Sequence, residues 1–255
     1  MSLYRKVTYQ LEQGIARVAL NRPERRNALD QELLTELRDA LHATAADESV
    51  RVVVMSGAGK DFCSGMDLRT FADDASGDIQ KFQDEARNMA AVLLDMRRHP
   101  RPIVAAVHGR ALGGGCGIAT AADIVLASES AQFGYPEINI GFVPAIVMAI
   151  LRRAVSEKRA FELIASGEPI SAQTALEYGM INGVFGADTF EREVEEFVAN
   201  LAAKSTSALM MSKALFYATD AMQFEVAVEA GAEMNAAART TEDFKRGIKK
   251  FLKKT

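Results

Sequence analysis

The first 130 residues alternate between short apolar runs and longer amphipathic segments. The short runs predict strands, which lie at residues 7–10, 15–20, 51–55, 102–107 and 123–127. The longer segments, residues 29–41 and 78–97, have apolar positions at helical spacing, and Asp30 is placed to cap the first of them. Strands that alternate with helices indicate an α/β fold with a parallel sheet built from βα units.

Beyond Ser156 the strand signal nearly disappears. The spacing of apolar residues predicts helices at residues 156–165, 171–178, 188–203, 205–217, 220–238 and 241–252. We therefore expect an α/β core over residues 1–195 and a helical C-terminal region over residues 196–255. No internal repeat or low-complexity linker separates the two, so we place both in one structural domain.

Composition narrows the classes of function. The chain has 255 residues, 49% of them hydrophobic, and a net charge of −4, which argues against a nucleic-acid partner. Cys63 and Cys116 are the only cysteines, so no disulfide framework is implied. The N-terminal residues lack the apolar region of a secretory signal, and the longest apolar stretch is too short and too interrupted to span a membrane. We expect a cytoplasmic protein without a membrane partner.

Several common catalytic motifs are absent. The glycine-rich stretch 109–117 has Ile118 where a dinucleotide fingerprint needs its third glycine. Gly59-Lys60 is followed by Asp61, which breaks the P-loop pattern, and Ser64 lacks the flanking glycines of a nucleophile elbow. The histidines have no metal-ligand spacing, and no metal site is expected; they are His42, His99 and His108.

Two glycine-bearing turns each follow a predicted buried strand. They are residues 61–68, with the sequence DFCSGMDL, and residues 111–117, with the sequence ALGGGCG. Ligand sites in parallel sheets gather at the carboxyl ends of strands, and a glycine-rich turn that opens a helix directs N–H groups at an anion. Two such turns could supply two donors to one oxygen that gains charge during reaction, worth roughly 3–4 kcal/mol per donor.

These turns resemble the motifs of a known family. The first is similar to the F-C/A-x-G-x-D-hydrophobic motif, and the second to the A-L-G-G-G-C motif, of the crotonase (enoyl-CoA hydratase/isomerase) family. Residues 133–141, followed by Pro144, resemble the family's F-x-x-P-E-x-x-x-G-x-x-P segment. Weaker matches at residues 21–29 and 241–251 extend the resemblance over nearly the whole chain.

The resemblance implies a fold, a substrate and a site. The expected fold is a crotonase-like spiral of ββα units with a helical C-terminal region that forms a homotrimer or a dimer of trimers. The expected substrate is an acyl-CoA thioester, whose enolate is stabilised by the backbone N–H groups of Met66 and Gly114 while Glu137 acts as acid or base. Coenzyme A is part of that substrate, and no separate cofactor is expected. The residues implied for substrate and CoA binding are Glu24, Arg25, Arg26, Ser64, Asp67, Leu68, Gly113 and Pro136.

This chain departs from the family pattern at two places. Gly117 stands where hydratases of the two-glutamate type carry their second glutamate, and the family's P-G-A-G-G-T continuation reads Pro144 followed by AIVM. A single carboxylate suits the isomerisation of a 3-enoyl to a 2-enoyl thioester, whereas hydration of a 2-enoyl thioester is easiest with two. Both reactions stay open, as do hydrolysis or decarboxylation of a thioester and a non-catalytic acyl-CoA-binding role.

Overall fold

The secondary structure contains every predicted strand and helix, together with short strands and one helix between residues 110 and 185 that were not predicted. The computed structural model describes residues 4–72 and 77–253. The strands are β1 (Val7–Glu12), β2 (Ile15–Leu20), β3 (Val52–Gly57), β4 (Ile103–Val107), β5 (Arg110–Leu112), β6 (Ile124–Ser128), β7 (Gln132–Gly134), β8 (Ile170–Ser171) and β9 (Gly183–Phe185). The helices are α1 (Gln31–Ala46), α2 (Leu68–Ala72), α3 (Ile79–Arg98), α4 (Gly114–Ala121), α5 (Ala145–Ala154), α6 (Glu157–Ser166), α7 (Ala172–Glu177), α8 (Phe190–Ala202), α9 (Thr206–Ala218), α10 (Phe224–Ala238) and α11 (Glu242–Leu252).

The main sheet contains six strands in the order β1-β2-β3-β4-β6-β9. The hairpin of β1 and β2 is antiparallel and every other neighbouring pair is parallel, as the alternation of strands and helices predicted. β9 was not predicted, because three partly buried residues carry too little periodic signal to mark a strand.

Both faces of the main sheet are covered. Successive residues of a strand point to opposite faces, so Val53 and Met55 of β3 lie in the large core with α1 and α3. Val52 and Val54 lie in a second cluster with residues of α8. The near-continuous apolar sequence of the central strands is explained by this burial on two sides.

A smaller sheet lies across the ends of the main strands, in the order β5-β7-β8. It is extended by two isolated parallel bridges, Cys63 with Ala111 and Leu29 with Met66. Three chain segments that follow different strands therefore run in parallel side by side. Their carboxyl ends meet at one place, which is where the sequence predicted a site.

The end of α3 is held by a buried histidine. His99 follows the last residue of α3, and its imidazole lies 3.1 Å from the Thr44 hydroxyl of α1 and 3.0 Å from the carbonyl oxygen of Arg101. Burial lowers the pKa of His99 to about 4. The neutral imidazole thus joins α3 to α1 and to the start of β4.

The predicted boundary between the core and the helical C-terminal region lies within a helix that packs on the main sheet. Residue 195 falls inside α8, whose buried side chains, including Val194 and Val198, pack on the main sheet, so α8 belongs with the core. By contrast, α9, α10 and α11 contain no buried residue. Their largest exposed side chains include Phe216, Phe224 and Phe251. Among the described residues, no helix combines the length and apolar character needed to cross a membrane.

Candidate active site

A cavity of about 590 Å³ lies where the strand ends of the smaller sheet meet α3 and α5. It brings together three groups predicted from separate motifs, namely Met66, Gly114 and Glu137. The remaining described lining residues are Phe82, Glu85, Ala86, Met89, Ile140, Gly141, Phe142, Val143, Pro144, Ala145, Ile146 and Val147. Its walls are mainly apolar, as ligand cavities usually are.

The first glycine turn presents the backbone of Met66 to this cavity. The turn runs beside β5, because the Cys63 N–H donates to the Arg110 carbonyl and the Leu112 N–H donates to the Cys63 carbonyl. Gly65 has a φ of +93°, and a Cβ there would lie 2.9 Å from the carbonyl oxygen of Leu112, so only glycine allows this approach. Within the described residues, the Met66 N–H has no hydrogen-bond acceptor.

A buried asparagine ties this turn to the N-terminal segment. Asn27 has a φ of +55°, and its side-chain amide donates to the carbonyl oxygens of Ala58 and Asp61 at 2.9 and 2.8 Å. Its Oδ1 accepts from the Arg22 N–H at 2.8 Å. This left-handed conformation is one that asparagine tolerates better than most residues, which explains an asparagine in the N-terminal match.

The second glycine turn brings the N–H of Gly114 to the same cavity. The Gly113 N–H donates to the Gly134 carbonyl at 2.8 Å, which fixes the turn to β7. Gly114 is the first residue of α4, so its N–H has no partner within the helix and none among the other described residues. The positive end of the α4 dipole therefore points at the cavity together with the Met66 N–H.

Glu137 lies against the second turn. It is the second residue of the 3-10 segment Pro136–Ile140, which begins two residues after β7 ends. A Cβ at Gly113 would lie only 2.8 Å from Oε1 of Glu137, so the absence of a side chain at Gly113 leaves room for this carboxylate. Among the described residues the buried Oε2 has no hydrogen-bond partner, and burial raises the pKa of Glu137. A cavity carboxylate with a raised pKa is a candidate for proton transfer.

At position 117, where the family's second glutamate would stand, the side chain of Val147 occupies the space. A Cβ at Gly117 would lie 2.8 Å from the Cβ of Val147 and closer still to its Cγ1. Val147 is buried and belongs to α5, the helix that follows Pro144. The two departures from the family pattern are thus in contact, and together they make this wall of the cavity apolar.

The wall formed by α3 was only partly predicted. Phe82, Ala86 and Met89 belong to the apolar stripe of this helix, and they line the cavity. Glu85 lines it as well, although no motif pointed to it. The available signal was positional, since residue 85 follows 82 by three and precedes 89 by four, which places all three on one helical face.

The residues implied for CoA binding lie next to the cavity rather than in it. Pro136 precedes Glu137, and Gly113 contacts its carboxylate. Ser64 donates its backbone N–H to the Arg26 carbonyl, which joins the first turn to the exposed 3-10 segment Pro23–Arg25. The exposed members of this group are Glu24, Arg25, Arg26 and Leu68.

Asp67 is engaged within the protein. Its carboxylate accepts from a guanidinium nitrogen of Arg22 at 3.1 Å and from the Arg69 N–H at 3.3 Å, at the start of α2. Its own N–H donates to the Leu29 carbonyl at 2.8 Å. These bonds fix the residue that follows Met66, so Asp67 orients the first turn.

The cysteines do not offer a nucleophile. Cys63 and Cys116 are fully buried, and burial raises the pKa of both thiols to about 12. Both therefore stay protonated at neutral pH, whereas the thiolate is the reactive form. The part of the chain that the structure describes contains no group of three histidine, cysteine or acidic residues arranged to hold a metal ion.

Sequence comparison points to one family. A sequence model described as enoyl-CoA hydratase/isomerase matches residues 10–255. A relative from Thermus thermophilus is 36% identical over 246 residues, which make up 96% of this chain and 97% of the relative. The 2,3-dehydroadipyl-CoA hydratase of Escherichia coli strain K12 is 32% identical over 252 residues, with 95% of this chain and 94% of that enzyme covered.

Solved structures agree over the same length. The crystal structure of an enoyl-CoA hydratase from Mycobacterium smegmatis is similar with a TM-score of 0.94 and 32% identity, covering 98% of this chain and 97% of that one. The structure of human enoyl coenzyme A hydratase domain-containing protein 3 is similar with a TM-score of 0.93 and 28% identity, covering 98% of both chains.

Proposed function

The chain belongs to the enoyl-CoA hydratase/isomerase family and has the crotonase fold that its motifs predicted, and on this premise we propose that it transforms an acyl-CoA thioester through the enolate of its acyl group. One observation carries the proposal: Met66 and Gly114, whose backbone N–H groups have no acceptor among the described residues, line the same cavity as half-buried Glu137.

The proposed chemistry assigns a role to each group. The thioester carbonyl oxygen accepts from the N–H groups of Met66 and Gly114, which stabilise the negative charge it gains as the enolate forms. Glu137 takes a proton from the carbon next to the carbonyl, or returns one to that carbon. No described residue forms a hydrogen bond with its Oε2, so within the described part of the chain this oxygen is not engaged elsewhere.

Isomerisation of a 3-enoyl to a 2-enoyl thioester is the reaction that this set of groups supports most directly. One carboxylate can remove a proton from the carbon next to the carbonyl and deliver it two carbons further along the chain. The contact between Gly117 and Val147 leaves no room for a glutamate at position 117, so the two-glutamate arrangement is not available there.

Hydration of a 2-enoyl thioester is the second candidate, and a separate observation favours it. Glu85 gives the cavity a second carboxylate on the α3 wall. The name of the E. coli relative also describes a hydratase that acts on an unsaturated acyl-CoA. In both reactions the apolar walls favour an acyl chain without charge near the reacting carbons, because burying an unpaired charge is costly.

We further propose that the CoA moiety lies over the surface formed by the Pro23–Arg25 segment, Ser64 and Leu68, where the exposed guanidinium groups of Arg25 and Arg26 are able to pair with phosphates.

The exposed apolar side chains of α9, α10 and α11 support a homotrimer or a dimer of trimers. Light scattering coupled to size-exclusion chromatography tests the assembly, and a stable monomer would contradict it.

The experiment for the reaction is incubation in D₂O with crotonyl-CoA and, separately, with a 3-enoyl-CoA, followed by mass spectrometry of the products. Gain of one water identifies a hydratase. Conversion of the 3-enoyl to the 2-enoyl thioester, with deuterium gained and no water, identifies an isomerase. Release of free CoA identifies hydrolysis instead, and would contradict the proposed enolate role.

The matched control is Glu137→Gln, which keeps the size of the side chain and removes the proton-transferring group. We expect it to bind the thioester normally and to lose turnover by about 10²–10⁴-fold. A wild-type protein that binds the thioesters but neither exchanges protons nor forms product would support a non-catalytic acyl-CoA-binding role.

A further inference from the structure

The α3 wall gives the cavity a carboxylate that the proposed enolate chemistry does not use. Glu85 and Glu137 are the only acidic residues among the described residues that line it, and no lysine, arginine or histidine is found among those lining residues. Glu85 is half-buried. Its carboxylate forms no hydrogen bond or ion pair with another described residue, although neighbouring Asp84 is paired with Arg87.

Glu85 lies on the α3 face that lines the cavity. Met89, four residues further along α3, lies against the second glycine turn, because its methyl group is 3.5 Å from the position of a Cβ at Gly114. Four residues of α-helix, slightly more than one turn, rise about 6 Å. Glu85, four residues before Met89 on the same face, therefore lines the same cavity as Met66, Gly114 and Glu137.

Glu85 also lines a second, polar depression of about 570 Å³ between α1 and α3. The other residues that line it are Gln31, Thr35, Asp78, Gln80, Lys81, Asp84 and Asn88. Glu85 is thus at the boundary between a hydrophilic surface that water can occupy and an apolar cavity that contains the proposed reacting groups. A general base for water addition must be within hydrogen-bond reach of the attacking water.

Resting on the proposed function, we propose that Glu85 is the second acid–base group of this enzyme and activates the water that adds to a 2-enoyl-CoA thioester. The water oxygen bonds to the β-carbon while its proton passes to the Glu85 carboxylate. The electrons of the double bond move onto the thioester oxygen, which Met66 and Gly114 stabilise. Glu137, in its protonated form, then gives a proton to the α-carbon. Proton exchange with solvent restores both carboxyl groups, and the net change is the addition of one water.

The test compares two reactions in the variant Glu85→Gln. The first is hydration of crotonyl-CoA, and the second is exchange of the α-proton of butyryl-CoA in D₂O, which needs Glu137 but no added water. We expect Glu85→Gln to lower kcat for hydration by about 10²-fold or more, with KM changed by less than about threefold and α-proton exchange kept near the wild-type rate. Glu85→Asp, which keeps a carboxylate, is expected to recover part of the lost hydration.

The control variant is Glu48→Gln, the same substitution at an exposed glutamate that lines neither the cavity nor the polar depression, and it should hydrate crotonyl-CoA at the wild-type rate. Equal loss of hydration and of exchange in Glu85→Gln would overturn the proposal, since it would indicate a structural role. Hydration within about fivefold of wild type, or a wild-type enzyme that exchanges the α-proton without hydrating, would also overturn it while leaving the enolate chemistry intact. The proposed function itself would be contradicted only by a wild-type protein that shows neither hydration nor α-proton exchange.

Discussion

The cavity has two sides of different construction. The side that carries the two N–H donors, here called the hole side, consists of the two glycine turns, residues 61–68 and 111–117, and the 3-10 segment with Glu137. It is fixed by backbone hydrogen bonds between neighbouring segments. The helix side consists of α3 and α5, whose residues line the facing wall of the cavity. In the proposed reaction the hole side stabilises the enolate. The two departures from the family pattern, Gly117 on the hole side and Val147 on α5, meet where the two sides join, and we expect the helix side to determine which reaction follows.

The largest effect is expected from removing one N–H on the hole side. Gly114→Pro deletes the donor at the first position of α4, where proline is tolerated, and we expect kcat to fall about 10²–10³-fold with little change in the melting temperature. Gly114→Ala is the matched control, because it keeps the N–H and adds a Cβ 3.1 Å from a Leu29 methyl group. Steady-state kinetics of both variants measure the two kcat values. Equal losses in the two would mean that the added carbon, rather than the missing donor, is responsible.

On the helix side, a pH-dependent stability is expected from His99, which follows the last residue of α3. Its pKa is about 4 in the folded protein and 6.5 as the ordinary value, so the unfolded chain binds a proton first as the pH falls. The stability that the neutral imidazole contributes is complete above pH 6.5 and is lost between pH 6.5 and 4, in total roughly 3 kcal/mol. Urea unfolding at several pH values measures this slope. The variant His99→Gln should show a shallower slope over the same interval, and an unchanged slope would contradict the assignment.

A smaller effect is expected at the contact between Gly117 and Val147. Gly117→Ala inserts a carbon where Val147 already packs, and we expect a loss of about 1–3 kcal/mol in the free energy of unfolding. Val147→Ala alone removes buried methyl groups and also destabilises. The double variant should lose less than the sum of the two, which urea unfolding in a double-mutant cycle would detect. Strict additivity would show that the two positions are independent.

The smallest effect concerns the hole side, and it has the opposite sign. Burial raises the pKa of Glu137, so the folded state resists ionisation and wild-type stability falls, relative to Glu137→Gln, as the pH rises above the ordinary value of 4.5. We therefore expect Glu137→Gln to be more stable at pH 7 by about 0.5–1 kcal/mol. The difference should vanish below pH 4.5, where both states carry a protonated glutamate. A variant that is less stable than wild type at pH 7 would be inconsistent with this account.

The hole side could be predicted from the sequence because local rules determine it. Glycines at positions 65 and 113 allow backbone conformations that other residues resist, and each turn follows a strand with a clear apolar signal. Asp30 was predicted as the cap of α1, and its side chain does accept from the Leu33 N–H at 2.8 Å. The structure of each of these segments can therefore be predicted from its own sequence.

The helix side could not be predicted in the same way, because it depends on contacts between distant residues. Nothing in the local sequence around Gly117 shows that Val147, thirty positions later, occupies the adjoining space. Nothing in the sequence distinguishes Glu85 from other helical glutamates, and only the packing of α3 against the second turn brings it to the cavity. The short strand β9 could not be predicted for the same reason, since its place at the sheet edge is set by pairing with β6 and not by its own three residues.

The packing of Val147 against Gly117 also constrains how this site could have evolved. A glutamate introduced at position 117 alone would collide with α5, and a smaller residue introduced at position 147 alone would leave a void. Each single step is therefore expected to lower the free energy of unfolding. A change to two-glutamate catalysis at this place would need substitutions at both positions, and an acid–base group on another element such as α3 would avoid that requirement.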